Sequence, residues 1–188
     1  MSIKSMGYNL LEMEKMPTRK NSAVLDDKRM RDSLRFWTTG VTIVSVAHRD
    51  VQHGMTVNSF TSLSLEPPLV LVSLEKGTRT HEMVTDAGVF AVTLLSQGQE
   101  FLSDRFAGKD SGESDRFVDL ETIVLKSGNP VLADGLAYFD CHVQASHSAG
   151  SHNVFIAEVM ATGQLNGAQA DEPPLVYYNR SYRRLGDN

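Results

Sequence analysis

Residues 54–74 read GMTVNSFTSLSLEPPLVLVSL, a polar run that passes into an apolar one. The polar part holds five hydroxyls and one amide within nine residues, from Thr56 to Ser64. Short donors and acceptors of this kind suit a planar heterocycle with several carbonyls and ring nitrogens. The alternative is the polar face of a solvated strand followed by a serine-rich turn, and the residues alone leave both open.

The apolar part, residues 67–74, predicts a central strand that is buried on both faces. It starts with two prolines, which cannot donate to a ladder. Before it, residues 41–46 and the run through Val57 predict a β-hairpin. Further strands are expected at residues 89–95, 117–125, 137–145 and 154–165.

Three helices are expected: one that starts at Asp26 and that Gly40 ends, one over residues 78–86 that Gly88 closes, and one that starts at Ser96 and that Gly108 closes. Apolar residues at spacings of three and four mark the first. The third begins with a capping box formed by Ser96 and Gln99. Many strands with a few short helices favour a mainly β, antiparallel barrel over a parallel α/β sheet.

The organisation of the chain is that of one domain with an extension. Residues 1–24 show no sustained periodicity and predict a flexible N-terminal extension, and residues 25–188 form the domain. A dinucleotide-binding fingerprint, G-x-G-x-x-G after a strand, is missing from the sequence. Any nucleotide cofactor must therefore be held in another way.

Composition excludes several classes of protein. The chain has 188 residues with 41% hydrophobic residues, and its net charge is −5, from 18 basic and 23 acidic side chains, which argues against a nucleic-acid partner. Its longest apolar runs are too short to cross a membrane as a helix. The N-terminal residues lack the apolar block of a signal peptide, so a cytoplasmic location is expected. The single cysteine, Cys141, predicts a buried small residue without disulfide or catalytic use, and no metal-ligand spacing occurs.

A set of stretches resembles the short-chain flavin reductase family, the reductase components of two-component flavin monooxygenases. The order and spacing match over about residues 30–185. The stretches are TGVTIV at 39–44, the run at 54–70, FAV at 90–92, FA at 106–107, GSH at 150–152 and PLVYY at 174–178.

The resemblance implies an FMN-binding split β-barrel, antiparallel and Greek-key-like, that forms a homodimer with flavin near the interface. It implies an NAD(P)H-dependent flavin reductase that transfers hydride from NADH or NADPH to FMN or FAD. A flavin-dependent monooxygenase is the expected partner. The two cofactors carry this chemistry, so a catalytic acid–base pair is not required.

The resemblance also assigns site residues. Residues 58–62 line the isoalloxazine, residues 39–42 lie near it, and residues 73–80 hold the phosphate, where a helix start with hydroxyls and an arginine suits an anion. The resemblance also implies that His152 approaches the nicotinamide. Lys109 is a candidate from the sequence itself, either a second cation for the phosphate or a solvated lysine in a polar loop. The predicted flavin-binding residues are Thr39, Val41, Thr42, Thr56, Asn58, Ser59, Phe60, Thr61, Ser62, Ser73, Thr78, Arg79, Thr80, Phe106 and Lys109.

Two departures from the family pattern keep alternatives open. The family's Gly-Asp-His turn has Ser151 in place of the aspartate, and its Ser-Ser-Phe is here Asn58-Ser59-Phe60. Ser151 motivates a second hypothesis, an FMN-binding electron-transfer or sensor protein without NAD(P)H turnover. A third possibility is a barrel that has lost its ligand.

Overall fold

The computed structural model of the protein describes residues 26–109, 115–168 and 172–186. The predicted extension over residues 1–24 lies outside the described residues and stays a prediction. Three helices lie in the described part: α1 (Asp27–Leu34), α2 (Arg79–Ala87) and α3 (Glu100–Phe106). Helix α1 belongs to a unit that ends at Leu34, and the other elements belong to a second unit that begins at Arg35. No helix in the described ranges has the length and apolarity needed to cross a membrane.

Twelve strands in the described residues make up most of the second unit. They are β1 (Thr39–Gly40), β2 (Thr42–His48), β3 (Val51–Val57), β4 (Thr61–Leu65), β5 (Pro68–Glu75), β6 (Val89–Leu94), β7 (Thr122–Val124), β8 (Pro130–Leu132), β9 (Ala137–Ala149), β10 (His152–Gln164), β11 (Val176–Tyr178) and β12 (Ser181–Arg183). The protein is therefore mainly β, as the sequence predicts.

Seven strands form one antiparallel sheet in the order β3-β2-β6-β9-β10-β5-β4. Smaller sheets contain β1, β11 and β12, and β7 with β8. The predicted hairpin is confirmed, since β2 pairs with β3 from Thr42 opposite Val57 to His48 opposite Val51. The two edge strands, β3 and β4, follow each other in the chain and are joined by residues 58–60.

Strands β2 and β6 are buried on both faces, and the prediction of a central, doubly buried β5 is wrong. In β5 burial alternates, with Val70, Val72 and Leu74 buried, and the strand lies second from the edge of the sheet. In β2, Val44 packs in one core cluster with side chains of β5, α2 and β10, whereas Ile43 packs in a second cluster with side chains of α3. Helices cover both faces of the sheet at β2. Neither of the two alternating sets of β2 side chains therefore faces solvent, except at the end of the strand.

Two other predicted boundaries are wrong. The first helix ends at Leu34 and not at Gly40, because Thr39 and Gly40 pair with Tyr177 and Val176 of β11. Pairing with a distant strand outweighs the local helical pattern there. In the predicted strand over residues 117–125, only β7 is extended, since residues 116–119 form a turn in which the Phe117 N–H donates to Asp115 Oδ1 at 2.9 Å.

The predicted helix caps are confirmed in part. Thr78 caps α2, where its Oγ1 accepts a hydrogen bond from the His81 N–H, and Gly88 ends α2 at a φ of 68°. The capping box predicted for α3 is wrong: the helix begins at Glu100 with Gln99 as its N-cap and no side-chain cap bond, and the 2.9 Å bond from the Ser96 N–H to Gln99 Oε1 lies before the helix. The Thr78 cap therefore fixes the start of α2 alone.

Candidate functional site

A cavity of about 570 Å³ lies where residues 39–42 face the link between β3 and β4. This volume is within the range of small-molecule sites. Among the described residues that line it, none carries a charge. The lining consists of Trp37, Thr38, Thr39, Gly40, Val41, Thr42, Asn58, Ser59, Phe60, Thr61, Leu94, Leu95 and Pro174.

Seven of the predicted flavin-binding residues line this cavity together. They come from two distant parts of the sequence: Thr39, Val41 and Thr42, and Asn58, Ser59, Phe60 and Thr61. Sequence reasoning missed Trp37, Leu94, Leu95 and Pro174. The β1–β11 pairing and the Ser96–Pro174 bridge bring Pro174 there, and neither pairing has a signal in the local sequence.

Several hydroxyls of this region bond to the backbone. Ser59 Oγ donates to the Ser73 carbonyl oxygen at 2.9 Å and accepts from the Ser73 N–H at 3.0 Å. Thr42 Oγ1 donates to the Val57 carbonyl oxygen, and Thr56 Oγ1 donates to that of Ser103. These hydrogen bonds stabilise the shape of the cavity. Through Ser59, the segment 58–60 between β3 and β4 is bonded to β5.

Other polar groups of the cavity wall have no such bond. Thr39 Oγ1 is buried without a hydrogen-bond partner in the described part of the chain, and Asn58 is exposed. A buried hydroxyl without a partner is costly unless a ligand or a water pairs with it. The uncharged lining with an unpaired hydroxyl fits a neutral, flat heterocycle with polar edges.

A smaller cavity of about 200 Å³ adjoins the first and shares Val41 and Asn58 with it. It is lined also by Lys109, which forms a 2.7 Å ion pair with Asp104, and by Tyr182, which donates to Asp104 Oδ1 at 2.6 Å. Hydrogen bonds from Lys109 and Tyr182 lower the pKa of Asp104, and the bond to Asp104 raises the pKa of Lys109. Burial, followed by the bond to Asp104, raises the pKa of Tyr182.

The predicted residue Lys109 therefore reaches the cavity with its charge already paired. Thr56 also lines this smaller cavity, as do Ser103 and Tyr177. Asp104 and Tyr182 lie 78 residues apart, so no spacing rule could have joined them.

The start of α2 is separate from both cavities. Arg79 lines a third cavity of about 400 Å³ with Gln52 and Asp115, whereas Thr80 is buried and its Oγ1 has no partner in the described residues. Ser73 does not line the large cavity and is joined to it by two hydrogen bonds with Ser59. The phosphate role of these residues stays a prediction.

Three more predicted residues do not line the large cavity. Phe106 is fully buried in the second core cluster, Ser62 is exposed on β4, and His152 is the first residue of β10, with its Nδ1 2.9 Å from Ser151 Oγ. Their assigned roles stay predictions.

Two titratable groups are buried elsewhere. Cys141 is fully buried, as predicted, and burial, with a smaller effect of Asp140, raises the pKa of its thiol to about 12. Burial, followed by the charges of Arg116 and Arg79, lowers the pKa of His53 to about 4. Within the described ranges no three His, Cys, Asp or Glu side chains cluster as metal ligands would.

Comparisons with known proteins agree with this geometry. The family model described as "Flavin reductase like domain" matches residues 34–186. NADH-dependent flavin reductase StyB of Pseudomonas fluorescens is 37% identical over 169 residues, which cover 88% of this chain and 95% of that protein. The flavin-dependent monooxygenase reductase subunit HsaB of Mycobacterium tuberculosis is 34% identical over 161 residues, 86% of this chain and 83% of that protein.

A solved structure is similar over most of the chain. It is the Streptomyces globisporus NADH:FAD oxidoreductase SgcE6 in complex with NAD and FAD fragments. The TM-score is 0.77 at 31% sequence identity, and the match covers 86% of this chain and 93% of that one.

Proposed function

This chain belongs to the flavin reductase-like family, and from that premise we propose that it is an oxidoreductase that uses NADH to reduce FMN or FAD. The observation that carries the proposal is the uncharged cavity between residues 39–42 and 58–61, with the unpaired hydroxyl of Thr39 in its wall. When bound, flavin accepts a hydride from the nicotinamide, and this chemistry belongs to the two cofactors.

The protein's part is to bind and orient the ring. Trp37, Phe60 and Leu95 offer apolar surface, and the Asn58 amide with the Thr39 hydroxyl offers hydrogen bonds to the polar edge of the ring. An uncharged wall avoids burying an unpaired ion beside the ligand. Catalysis then depends on placing two rings in contact and excluding water, for which no acid–base pair is needed.

The phosphate is assigned to Ser73, Thr78, Arg79 and Thr80. The first N–H groups of a helix have no partner within the helix and attract an anion. The unpaired Thr80 hydroxyl and the Arg79 guanidinium at the start of α2 support this assignment. Lys109 remains a second cation, available if its pair with Asp104 rearranges.

We infer that the seven-stranded sheet closes into a split β-barrel. In a flat sheet the edge strands β3 and β4 would lie about 29 Å apart, six strand spacings of about 4.8 Å. The link from Val57 to Thr61 spans four residue steps, about 14 Å at most. The sheet must therefore curl until its edges approach, and the core cluster of Val44, Val72 and Phe155 fills the inside.

The domain limits and the assembly are also proposals. Residues 25–188 form the flavin reductase domain behind an extension over residues 1–24. A homodimer is supported by apolar side chains exposed near the sheet edge, Leu65 at 90% and Leu63 at 46%. Sedimentation of the full chain tests it, because Leu65→Lys should weaken a dimer that buries β4.

The proposed cellular role is inferred from the functions that the names of the relatives state. Because HsaB is named as a monooxygenase reductase subunit, we expect reduced flavin to pass to a flavin-dependent monooxygenase. A cytoplasmic location suits a chain that draws on NADH and keeps its one cysteine reduced.

Anaerobic mixing of the full chain with FMN or FAD, followed by NADH or NADPH, tests the proposed function. We expect the visible absorbance of the flavin to bleach rapidly with NADH and more slowly with NADPH. A mixture without protein is the control. Flavin that binds but stays yellow would instead indicate an electron carrier or sensor.

A further inference from the structure

One lysine fastens the tip of the β9–β10 hairpin to the loop after β5. The backbone N–H of Lys76 donates to the Ser151 carbonyl oxygen at 2.9 Å. Its Nζ donates to Ser148 Oγ and to the Gly150 carbonyl oxygen, both at 2.7 Å. Three hydrogen bonds from a single residue thus hold the turn that precedes His152.

The backbone conformation of this turn is set by Gly150 and by the strand pairing of His152. Gly150 has a φ of 61°, in the left-handed region that glycine adopts without strain. His152 pairs with Ala149 in the hairpin and with Glu75 of β5 in the ladder. The register therefore sets His152 beside the residue that immediately precedes Lys76.

The imidazole of His152 has a neighbour of its own. Ser151 Oγ lies 2.9 Å from His152 Nδ1. When the hydroxyl donates to Nδ1, the neutral ring carries its proton on Nε2. Nε2–H is then the donor available to a ligand.

We propose that Lys76 and Ser151 are positioning residues for His152: Lys76 fixes the turn, and Ser151 fixes the tautomer of the ring. This rests on the proposed function, in which His152 meets the nicotinamide. Lys76 also opens the loop that leads into Thr78 and Arg79, so one residue joins the nicotinamide side of the site to the phosphate side.

These contacts are too exposed to matter much for folding. Lys76, Ser148, Gly150 and Ser151 are all exposed, and hydrogen bonds at exposed positions contribute little to stability. Their loss should therefore leave the melting temperature nearly unchanged. An effect confined to the nicotinamide separates positioning from a structural role.

The first experiment uses the flavin-free full chain. Nitrogen-15 NMR of the His152 ring reports which nitrogen holds the proton, with His152→Gln assigning the signals. We expect the Nε2–H form to dominate, to decrease in Ser151→Ala, and to be kept in Ser151→Thr. In Ser151→Asp the carboxylate can only accept a hydrogen bond, so the ring proton should move to Nδ1, which then donates to it. A ring signal that is the same in all four proteins overturns the role of Ser151.

The second experiment is steady-state kinetics with NADH. Lys76→Met should raise the KM for NADH about fivefold, with kcat changed by less than about twofold, because a misplaced turn weakens binding of the nicotinamide. Lys76→Arg keeps the donors and should restore most of the affinity. Lys126→Met, another exposed lysine with no hydrogen bond to the hairpin tip, is the matched control.

His152→Ala separates failure of this inference from failure of the function. If His152→Ala raises the KM for NADH and Lys76→Met does not, the role of Lys76 is overturned and the reductase stands. If His152→Ala has no effect on an enzyme that reduces flavin, the positioning of His152 has no purpose in the reaction and the inference falls. If the unaltered chain reduces no flavin, both fall.

Discussion

The two halves of the run from His53 to Leu65 differ sharply although they are continuous in the chain. Between His53 and Val57, β3 turns its small and apolar residues into the core. From Asn58 to Leu65 nearly every residue is exposed or borders the cavity. One stretch therefore packs the fold with its first half and presents polar groups with its second.

The contact at Gly54 shows how tight the first half is. A Cβ at this position would lie 2.6 Å from Phe106 Cε1 and 3.1 Å from Phe117 Cζ. The two rings are themselves stacked edge to face at 4.9 Å. Leu65, in the second half, is 90% exposed. Substitutions in the first half should therefore change the stability of the fold, and substitutions in the second half should change the affinity for a ligand.

The largest effect is expected from Gly54→Ala. The added methyl group collides with a buried aromatic ring, and overpacking of this kind costs about 3 kcal/mol. Urea unfolding measures the loss. Gly186→Ala, where nothing lies within 4 Å, is the control and should stay within about 0.5 kcal/mol of the parent.

A double substitution tests whether position 54 and Phe106 are in direct contact. Gly54→Ala with Phe106→Leu should lose less stability than the sum of the two single changes, because the smaller side chain relieves the collision. Strict additivity would contradict a direct contact.

The second effect concerns His53 and pH. Its pKa in the folded chain is about 4, below the ordinary 6.5, so the unfolded chain takes up the proton first as pH falls. Stability should therefore decrease between about pH 6.5 and pH 4, by about 3 kcal/mol.

Urea unfolding across this pH range should show that His53→Gln removes this part of the acid dependence. His147→Gln, at an exposed histidine, should retain it. The free energy of unfolding could instead depend on pH in the same way in the parent and in His53→Gln. The buried imidazole would then bind its proton as tightly in the folded chain as in the unfolded one, which would contradict this prediction.

The third effect lies at the boundary between the halves. Ser59→Ala leaves the Ser73 N–H and carbonyl without their partner, which should cost about 1 kcal/mol and loosen the cavity wall. Flavin affinity should fall with it. Ser62→Ala, at an exposed hydroxyl of β4, is the control for stability in thermal unfolding. Equal melting temperatures of the two variants would mean that the hydrogen bonds between Ser59 and Ser73 do not stabilise the fold.

The smallest effect on stability, and a clear one on binding, is expected from Asn58→Asp. The carboxylate has the same shape but must lose water beside the uncharged isoalloxazine ring, so FMN affinity should fall about tenfold. The melting temperature should stay unchanged. Fluorescence titration with FMN measures the affinity, which should recover as the pH falls and the new carboxyl takes up a proton. Unchanged affinity would place the ring away from Asn58.

The sequence predicts local elements well and distant contacts poorly. The hairpin, the α2 cap and the strands of the long β9–β10 pair follow from short-range patterns. The end of α1 does not, because β11 supplies the partner of Thr39 from the far end of the chain. The prediction that β5 is the central, doubly buried strand is wrong for the same reason, since the helices that cover both faces of β2 leave no mark in the local sequence.

The candidate site divides in the same way. Seven predicted residues meet in one cavity, because the family pattern already joins residues 39–42 with 58–61. Pro174 and the pair of Asp104 with Tyr182 were missed, since only tertiary folding brings them there. Phe106 is also part of the family pattern, but it does not line the large cavity. In this structure its ring packs against Gly54.

A crystal structure of the full chain with FMN would show directly where the isoalloxazine binds. We predict the isoalloxazine in the 570 Å³ cavity, within hydrogen-bond distance of Asn58 and of the Thr39 hydroxyl. A ring bound elsewhere, for example in the cavity lined by Arg79 and Asp115, would contradict the account.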